Sequence, residues 1–237
     1  MTEHLADAAD GPDDAVRRTI VIGERMLALE GCASDVGGQV SARASEDRGF
    51  WCTAFEHFDA TEPDRVALLD WDCNVVSGQL RLAPAMRMHA AVYRRRPDVN
   101  AIMHLHSHHV TALSALARPM GMFGVAAVLF LDEQVLYADD GVKPHISVAS
   151  ELGMARVAWM KNHGALIASQ SLEQAIVEAI TLEACARLDL TCTVAGGTEI
   201  AMAEASAGRA AFRPHYLTNM WLASLERIRR REPDLFT

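Results

Sequence analysis

The chain has 237 residues, half of them apolar, with 22 Lys and Arg against 31 Asp and Glu. The formal net charge of −9 disfavours nucleic-acid or anionic-membrane partners, and no apolar run approaches the roughly 20 residues that span a bilayer. The five cysteines include no CxxC pair, which is typical of reduced thiols. We therefore expect a cytoplasmic protein with one large domain and neither a nucleic-acid nor a membrane partner.

The first predicted elements follow a short polar segment. Residues 1–13, rich in Asp, Ala and Gly, predict a disordered tail, and residues 14–237 form the predicted domain. Apolar residues at helical spacing predict a helix from Asp14 that ends at Gly31. Short β-branched or aromatic runs then predict strands over 39–43, 50–55 and 66–70, with a turn over 71–74 into a short strand at 75–76.

The middle of the chain alternates between helical and extended patterns. A helix is predicted from Pro84 to Arg95, and residues 99–107 predict a strand that starts in the core and ends at polar residues. The next predictions are a helix over 110–116, an apolar strand over 124–131, a helix over 147–154, a strand ending at 160 and a strand over 165–168.

The last part of the chain is predicted to be helical. Ser171 and Gln174 form a capping box, which predicts the start of a long helix to about Cys192. Residues 195–211, rich in Ala and Gly, predict no definite element, and residues 217–231 predict a final helix. With no internal repeat or linker, a single mixed α/β domain is the simplest prediction.

Four of the ten histidines lie within residues 104–109, HLHSHH. Residues two apart on a strand project to the same face, so His104 and His106 could offer two imidazoles to one metal ion. His163, between Asn162 and Gly164 in a predicted turn, could complete three ligands. A His-rich loop and a hydrogen-bonded turn histidine would give the same spacing, so both interpretations stay open.

Two stretches, HLHSHHVTALSAL and WMKNHGALIASQSLEQAI, resemble the signature stretches of the class II aldolase and adducin family. GQVSAR, the block RMHAAVYRRRPDVNAIMHLHSHH and KNHG occur in the family's order, and the resemblance covers roughly residues 15–190. It implies one three-layer α/β/α domain with a largely antiparallel central sheet, usually assembled as a homotetramer with active sites between subunits. It also implies that one divalent metal ion is bound by His104, His106 and His163.

Sugar-phosphate aldolases of this family differ from the chain at their substrate site. They have a metal-binding or acid/base Glu where Ala85 stands, and residues 52–58 do not resemble their Gly-rich phosphate turn. A phosphorylated sugar would therefore lose charge-assisted hydrogen bonds of about 1.5 to 3 kcal/mol each. The stretches at 38–43 and 68–78 resemble instead the adducin-like branch, which includes decarboxylases of hydroxylated aromatic or pyridine carboxylic acids.

Four further residues are candidates for a catalytic role. His109 matches a His that commonly follows the family's ligands, although it could instead cap the next helix. Arg87 could pair with a substrate carboxylate, and Glu133 could act as a general acid or base. Tyr216 could form a pocket wall, donated by a neighbouring subunit. The structural alternatives are a surface ion pair for Arg87, a solvated turn for Glu133 and ordinary core packing for Tyr216.

The first functional hypothesis is a metal-dependent decarboxylase of a non-phosphorylated hydroxy-aromatic, heteroaromatic or keto acid. The alternatives are an aldolase acting on an unphosphorylated aldol, a non-haem iron oxygenase, and a non-catalytic adducin-like interaction module. Imidazole accepts zinc, manganese and iron, so the sequence does not identify the metal. It also does not identify a residue that replaces the family Glu at Ala85.

Overall fold

The computed structural model describes residues 12–33, 35–79, 81, 83–138 and 145–236. The predicted tail lies outside these residues except for its last two, which belong to the first helix. This helix begins two residues before the predicted start, and Asp13 accepts hydrogen bonds there from Ser45 Oγ and Trp51 Nε1, each at 3.2 Å. No helix in the described part of the chain is both long and apolar enough to cross a bilayer.

The described residues form six α-helices and eight strands. The α-helices are α1 (Pro12–Leu29), α2 (Met86–Arg95), α3 (His108–Ser114), α4 (Val148–Glu151), α5 (Leu172–Ala195) and α6 (Met202–Arg231). The strands are β1 (Gln39–Arg43), β2 (Phe50–Cys52), β3 (Ala67–Leu69), β4 (Val75–Ser77), β5 (Ala101–Leu105), β6 (Gln134–Tyr137), β7 (Val157–Met160) and β8 (Gly164–Ser169).

The strands described form one sheet in the order β4-β3-β2-β1-β5-β8-β7-β6. Neighbouring strands are antiparallel except for β6 and β7, which are parallel. On β5, Met103 and Leu105 point into the layer that contains α1, α3 and α5, whereas Ile102 points into the layer of α2 and α4. The structure thus confirms the predicted three-layer α/β/α domain.

Two predictions in the second half of the chain are wrong. The apolar run at 124–131 forms a 3-10 helix (Val125–Phe130) instead of a strand, because a short apolar run fits either buried element. Helix α6 packs against this segment and begins at Met202 instead of residue 217. Pro214 lies inside α6, whose tertiary contacts outweigh the local cost of the proline.

A buried carboxyl group lies between α1 and the segment that follows β2. Glu24 is 1% exposed and accepts a hydrogen bond from Thr53 Oγ1 at 2.8 Å. Burial disfavours the charged carboxylate and raises the pKa of Glu24 from 4.5 to about 8. The folded chain therefore retains a proton that the unfolded chain releases, and this group makes the free energy of unfolding fall as pH rises from about 4.5 to about 8.

Replacing this carboxyl group should flatten the pH dependence of stability. Glu24→Gln removes the titration while it keeps the side-chain shape, so its urea-unfolding free energy should fall less than that of the wild type between pH 5 and pH 8. Glu226→Gln, on the exposed surface of α6, is the matched control and should behave like the wild type. An unchanged slope in Glu24→Gln would show that Glu24 is not the titrating group.

Candidate metal centre

The carboxyl end of β5 places two histidines at one pocket. His104 lies opposite Gln39 of β1 and Leu166 of β8, and His106 follows directly after the strand. The His104 Nδ1 atom donates a hydrogen bond to Ala165 O at 3.2 Å. This bond leaves the Nε2 lone pair of His104 available to a metal ion.

A tight turn between β7 and β8 places His163 beside these two residues. Asn162 adopts a left-handed conformation (φ 58°), which Asn tolerates well, and Gly164 has φ +147°. A Cβ atom on Gly164 would lie 2.2 Å from Leu105 O, so only glycine allows the turn to approach the end of β5 this closely.

The three imidazoles converge through their ring nitrogens. His104 Nε2 lies 2.8 Å from His106 Nε2 and 3.3 Å from His163 Nε2, and the three ligand atoms lie within 4.8 Å of one another. Nitrogen ligands at about 2.0–2.1 Å from a tetrahedral zinc ion are themselves about 3.3 Å apart. The donor set therefore fits one divalent cation, and three protein ligands leave a position for substrate, as in catalytic sites.

Burial favours the neutral form, which metals require, in His104 and His106. The pKa of His104 is well below its ordinary value, first because of burial and then because His106, His163 and His89 are nearby. Burial also lowers the pKa of His106, although Asp35 opposes this shift. Protons therefore compete weakly for the Nε2 lone pairs of these two residues.

The loop before β1 closes over His106. The carboxylate of Asp35 lies 3.5 Å from His106 Nδ1 and accepts a hydrogen bond from Gly37 N at 2.6 Å. A Cβ atom on Gly37 would lie 2.2 Å from His106 Nδ1, which explains why glycine is needed at this contact. Asp35 was not predicted from the sequence, because no local pattern indicates that this loop contacts the end of β5.

A pocket of about 410 Å³ adjoins the three imidazoles. Its walls are mostly apolar, and Asp35 is the one carboxylate among the described lining residues, which include no Lys or Arg. The apolar side chains that line it are Val36, Phe55, Ala83, Pro84, Ala85, Met88 and Met160. A pocket of this size, with apolar walls and a few polar groups at one end, suits a small, largely apolar ligand.

None of the four candidate catalytic residues is among the described residues that line this pocket. Arg87 is exposed on α2, between two buried methionines, and does not line the pocket. Glu133 lies beside Val157, at the opposite end of β7 from the turn that contains His163. Tyr216 packs on Phe212 and its hydroxyl lies 3.3 Å from Thr181 Oγ1.

Ion pairs account for the position of Glu133, whose side chain is half-buried. Its carboxylate contacts the guanidinium groups of Arg156, Arg209 and Arg213, the last at 2.9 Å. A carboxylate that contacts three guanidinium groups is held at a fixed place, as in a structural ion-pair network. Glu133 is therefore held in ion pairs, and it does not line this pocket.

His109, the fourth candidate, is bonded to a carboxylate on α5. Glu183 is 7% exposed and accepts hydrogen bonds from His109 Nδ1 at 2.6 Å and Ser107 Oγ at 2.6 Å. It also accepts the backbone N–H groups of His109 at 3.1 Å and Val110 at 2.9 Å, which are free donors in the first turn of α3. Glu183 thus ties the turn that follows His106 to α5.

Known proteins resemble the chain in sequence and in fold. The sequence model of one protein family, the class II aldolase and adducin N-terminal domain, matches residues 18–190. A 4-hydroxy-3-prenylphenylpyruvate oxygenase/4-hydroxy-3-prenylbenzoate synthase from Streptomyces roseochromogenus subsp. oscitans is 30% identical over 65% of this chain and 59% of its own length. A 3,4-dihydroxyphthalate decarboxylase from Arthrobacter keyseri is 31% identical over 76% of this chain and 80% of its own length.

The fold comparison agrees with the family match. An L-fuculose 1-phosphate aldolase from Glaciozyma antarctica PI12 superposes with a TM-score of 0.85 at 20% identity and covers 98% of this chain and 97% of that one. At the level of enzyme class, these relatives confirm the sequence prediction of a lyase. The family match covers well over half of the chain and includes all three histidines of the centre. The chain therefore belongs to the class II aldolase and adducin family.

Proposed function

We propose that the chain is a divalent-metal-dependent decarboxylase of a non-phosphorylated carboxylic acid. Hydroxy-aromatic acids are the preferred substrate class, ahead of heteroaromatic and keto acids. The observation that carries this proposal is that the three imidazoles open into an apolar pocket with no Lys or Arg among its described lining residues. A phosphate dianion would lack charged donors there, whereas an aromatic ring would contact Phe55, Met88 and Met160.

Ala85 also favours an acid as substrate. A carboxylate at this position would lie in the pocket wall and repel an incoming carboxylate, because like charges interact strongly where water is excluded. An alanine removes that repulsion. The remaining carboxylate, Asp35, is engaged by Gly37 N and lies beside His106, so part of its charge is already compensated.

The residues of the pocket would divide the work of decarboxylation. His104, His106 and His163 would hold the metal, which would supply an electron sink for the charge left when carbon dioxide departs. The carbonyl of Ala165 and the carboxylate of Asp35 fix the orientation of two of these imidazoles. The apolar walls would position the ring and exclude bulk water until a proton replaces the lost carboxylate.

A non-haem iron oxygenase is the second candidate. One relative at 30% identity is named as an oxygenase, and three imidazoles with open positions also suit ferrous iron. The two activities differ in their need for molecular oxygen, because an oxygenase consumes it and decarboxylation does not. An aldolase acting on an unphosphorylated aldol would differ from both, because it releases an aldehyde or ketone and no carbon dioxide.

An anaerobic assay separates these functions. Metal-stripped protein would be reloaded separately with zinc, manganese and ferrous iron, then incubated with carboxyl-labelled hydroxybenzoates and hydroxypyridine carboxylates. We expect labelled carbon dioxide without oxygen, and its loss on chelation of the metal. Turnover only with iron and oxygen would favour the oxygenase, and carbonyl release from an aldol would favour the aldolase. If the protein retains no metal, the result would favour the non-catalytic interaction module.

Assembly and location stay predictions. The family resemblance implies a homotetramer with sites between subunits, which light scattering of the purified protein would test. In such an assembly Tyr216, which lies outside the pocket of its own chain, would be a candidate for the wall of a neighbour's pocket. The cytoplasmic location rests on the sequence composition alone.

A further inference from the structure

One buried polar atom in the metal pocket lacks a partner. Gln39 is 1% exposed, lies on β1 and lines the pocket beside the imidazoles. Its Oε1 atom accepts no hydrogen bond from the described residues. An unpaired buried acceptor loses its hydration without compensation, so such atoms in a native structure call for an explanation.

The neighbouring side chains do not supply the missing donor. The Nδ1 atom of His104 is engaged with Ala165 O, and its Nε2 atom faces the other imidazoles. His89 is fully buried on the same side of the sheet, where its Nδ1 atom pairs with Ser41 Oγ at 2.8 Å. Its Nε2 atom also lacks a partner among the described residues, so His89 and Gln39 do not bond each other.

The register of the sheet places this acceptor next to the metal centre. Gln39 lies directly opposite His104 in the antiparallel β1–β5 pair, so both side chains project from the same face. The Cβ atoms of such a pair are about 4.5–5.5 Å apart. A group that donates to Gln39 Oε1 would therefore lie close to a carboxylate held at the three imidazoles.

We propose that Gln39 Oε1 accepts a hydrogen bond from a substrate hydroxyl adjacent to the reacting carboxylate, so that the pocket selects ortho-hydroxy aromatic acids. This inference rests on the proposed function and adds the residue that selects the substrate. The hydroxyl would satisfy the buried acceptor, while an acid without it would leave Oε1 unpaired. Selectivity then comes from a neutral hydrogen bond in a pocket that is otherwise apolar.

Calorimetric titration of zinc-loaded protein with 2-hydroxybenzoate and benzoate tests this role. The wild type should bind 2-hydroxybenzoate more tightly, partly through the metal and partly through Gln39. The selectivity is the Kd of benzoate divided by the Kd of 2-hydroxybenzoate. In Gln39→Leu, which cannot accept a hydrogen bond, this ratio should fall about 2- to 12-fold, which corresponds to the contribution of one neutral hydrogen bond. Gln170→Leu, on the exposed surface before α5, should keep the wild-type ratio.

Each result bears on one level of the proposal. An unchanged ratio in zinc-loaded Gln39→Leu would overturn the role of Gln39 and leave the decarboxylase proposal intact. If the zinc-loaded wild type binds neither acid, the proposed function itself is wrong. Zinc content and thermal unfolding would be measured for every variant. Gln39→Met keeps the length of the side chain without the acceptor and replaces Gln39→Leu if that variant does not fold.

Discussion

Replacing His106 with alanine should abolish both metal binding and turnover while the chain stays folded. Two imidazoles remain in the variant. Removing a group that only orients a ligand lowers metal affinity roughly 10- to 100-fold, and the loss of a ligand itself should lower metal affinity further. The side chain of His106 is 20% exposed, so its removal leaves no large cavity in the core. Metal content after dialysis, activity and circular dichroism together measure the effect.

His108→Ala is the matched control for this experiment. His108 is an exposed histidine two residues further along the chain, and its ring packs on His109 outside the group of ligands. Its replacement should leave metal content and turnover near the wild-type values. A His106→Ala variant with full metal content would exclude His106 as a ligand, and full turnover without bound metal would exclude metal-dependent catalysis.

Arg156→Met should lower the free energy of unfolding by about 3–5 kcal/mol, as expected when one partner of a buried ion pair is removed. Arg156 is 7% exposed, and its guanidinium group contacts the carboxylates of Glu133 and Glu178 and donates to Leu129 O at 2.8 Å. Glu178 is fully buried, so the variant leaves its charge without the main counter-ion. Urea unfolding measures the loss.

A second substitution identifies the cause of that loss. If the unpaired charge is responsible, Glu178→Gln in the Arg156→Met background should recover part of the stability, since Ser169 and Gln174 can still bond the amide. Surface ion pairs contribute less than about 1 kcal/mol to the free energy of unfolding. A decrease that small in Arg156→Met would contradict the assignment of a buried ion-pair network. Because Arg156 also holds Glu133, unchanged turnover in the folded variant would further separate Glu133 from catalysis.

The features that were predicted correctly from the sequence depend on local patterns. β1 has the predicted bounds, and Ser171 Oγ accepts the N–H of Gln174 at 3.2 Å, which is one of the two bonds of a capping box. His104 and His106 share a face because side chains alternate along an extended chain. The convergence of His163 on them was implied by the family resemblance, because spacing alone left it open.

The features that were missed depend on contacts between distant segments. The roles of Asp35, Gln39 and Glu183 follow from the loop before β1, the β1–β5 register and the packing of α5 on α3. None of these contacts leaves a periodic signal in the sequence. The bond between His109 and Glu183 is likewise a contact between distant segments, and a catalytic role for His109 stays a prediction.

Anomalous diffraction from crystals of the zinc-loaded protein tests the central claim most directly. We expect one zinc peak per chain, at about 2.0–2.1 Å from the Nε2 atoms of His104, His106 and His163, with the remaining coordination directed into the apolar pocket. A zinc ion bound elsewhere, or imidazoles that fail to share a single ion in zinc-saturated crystals, would contradict the metal centre and the decarboxylase proposal that depends on it.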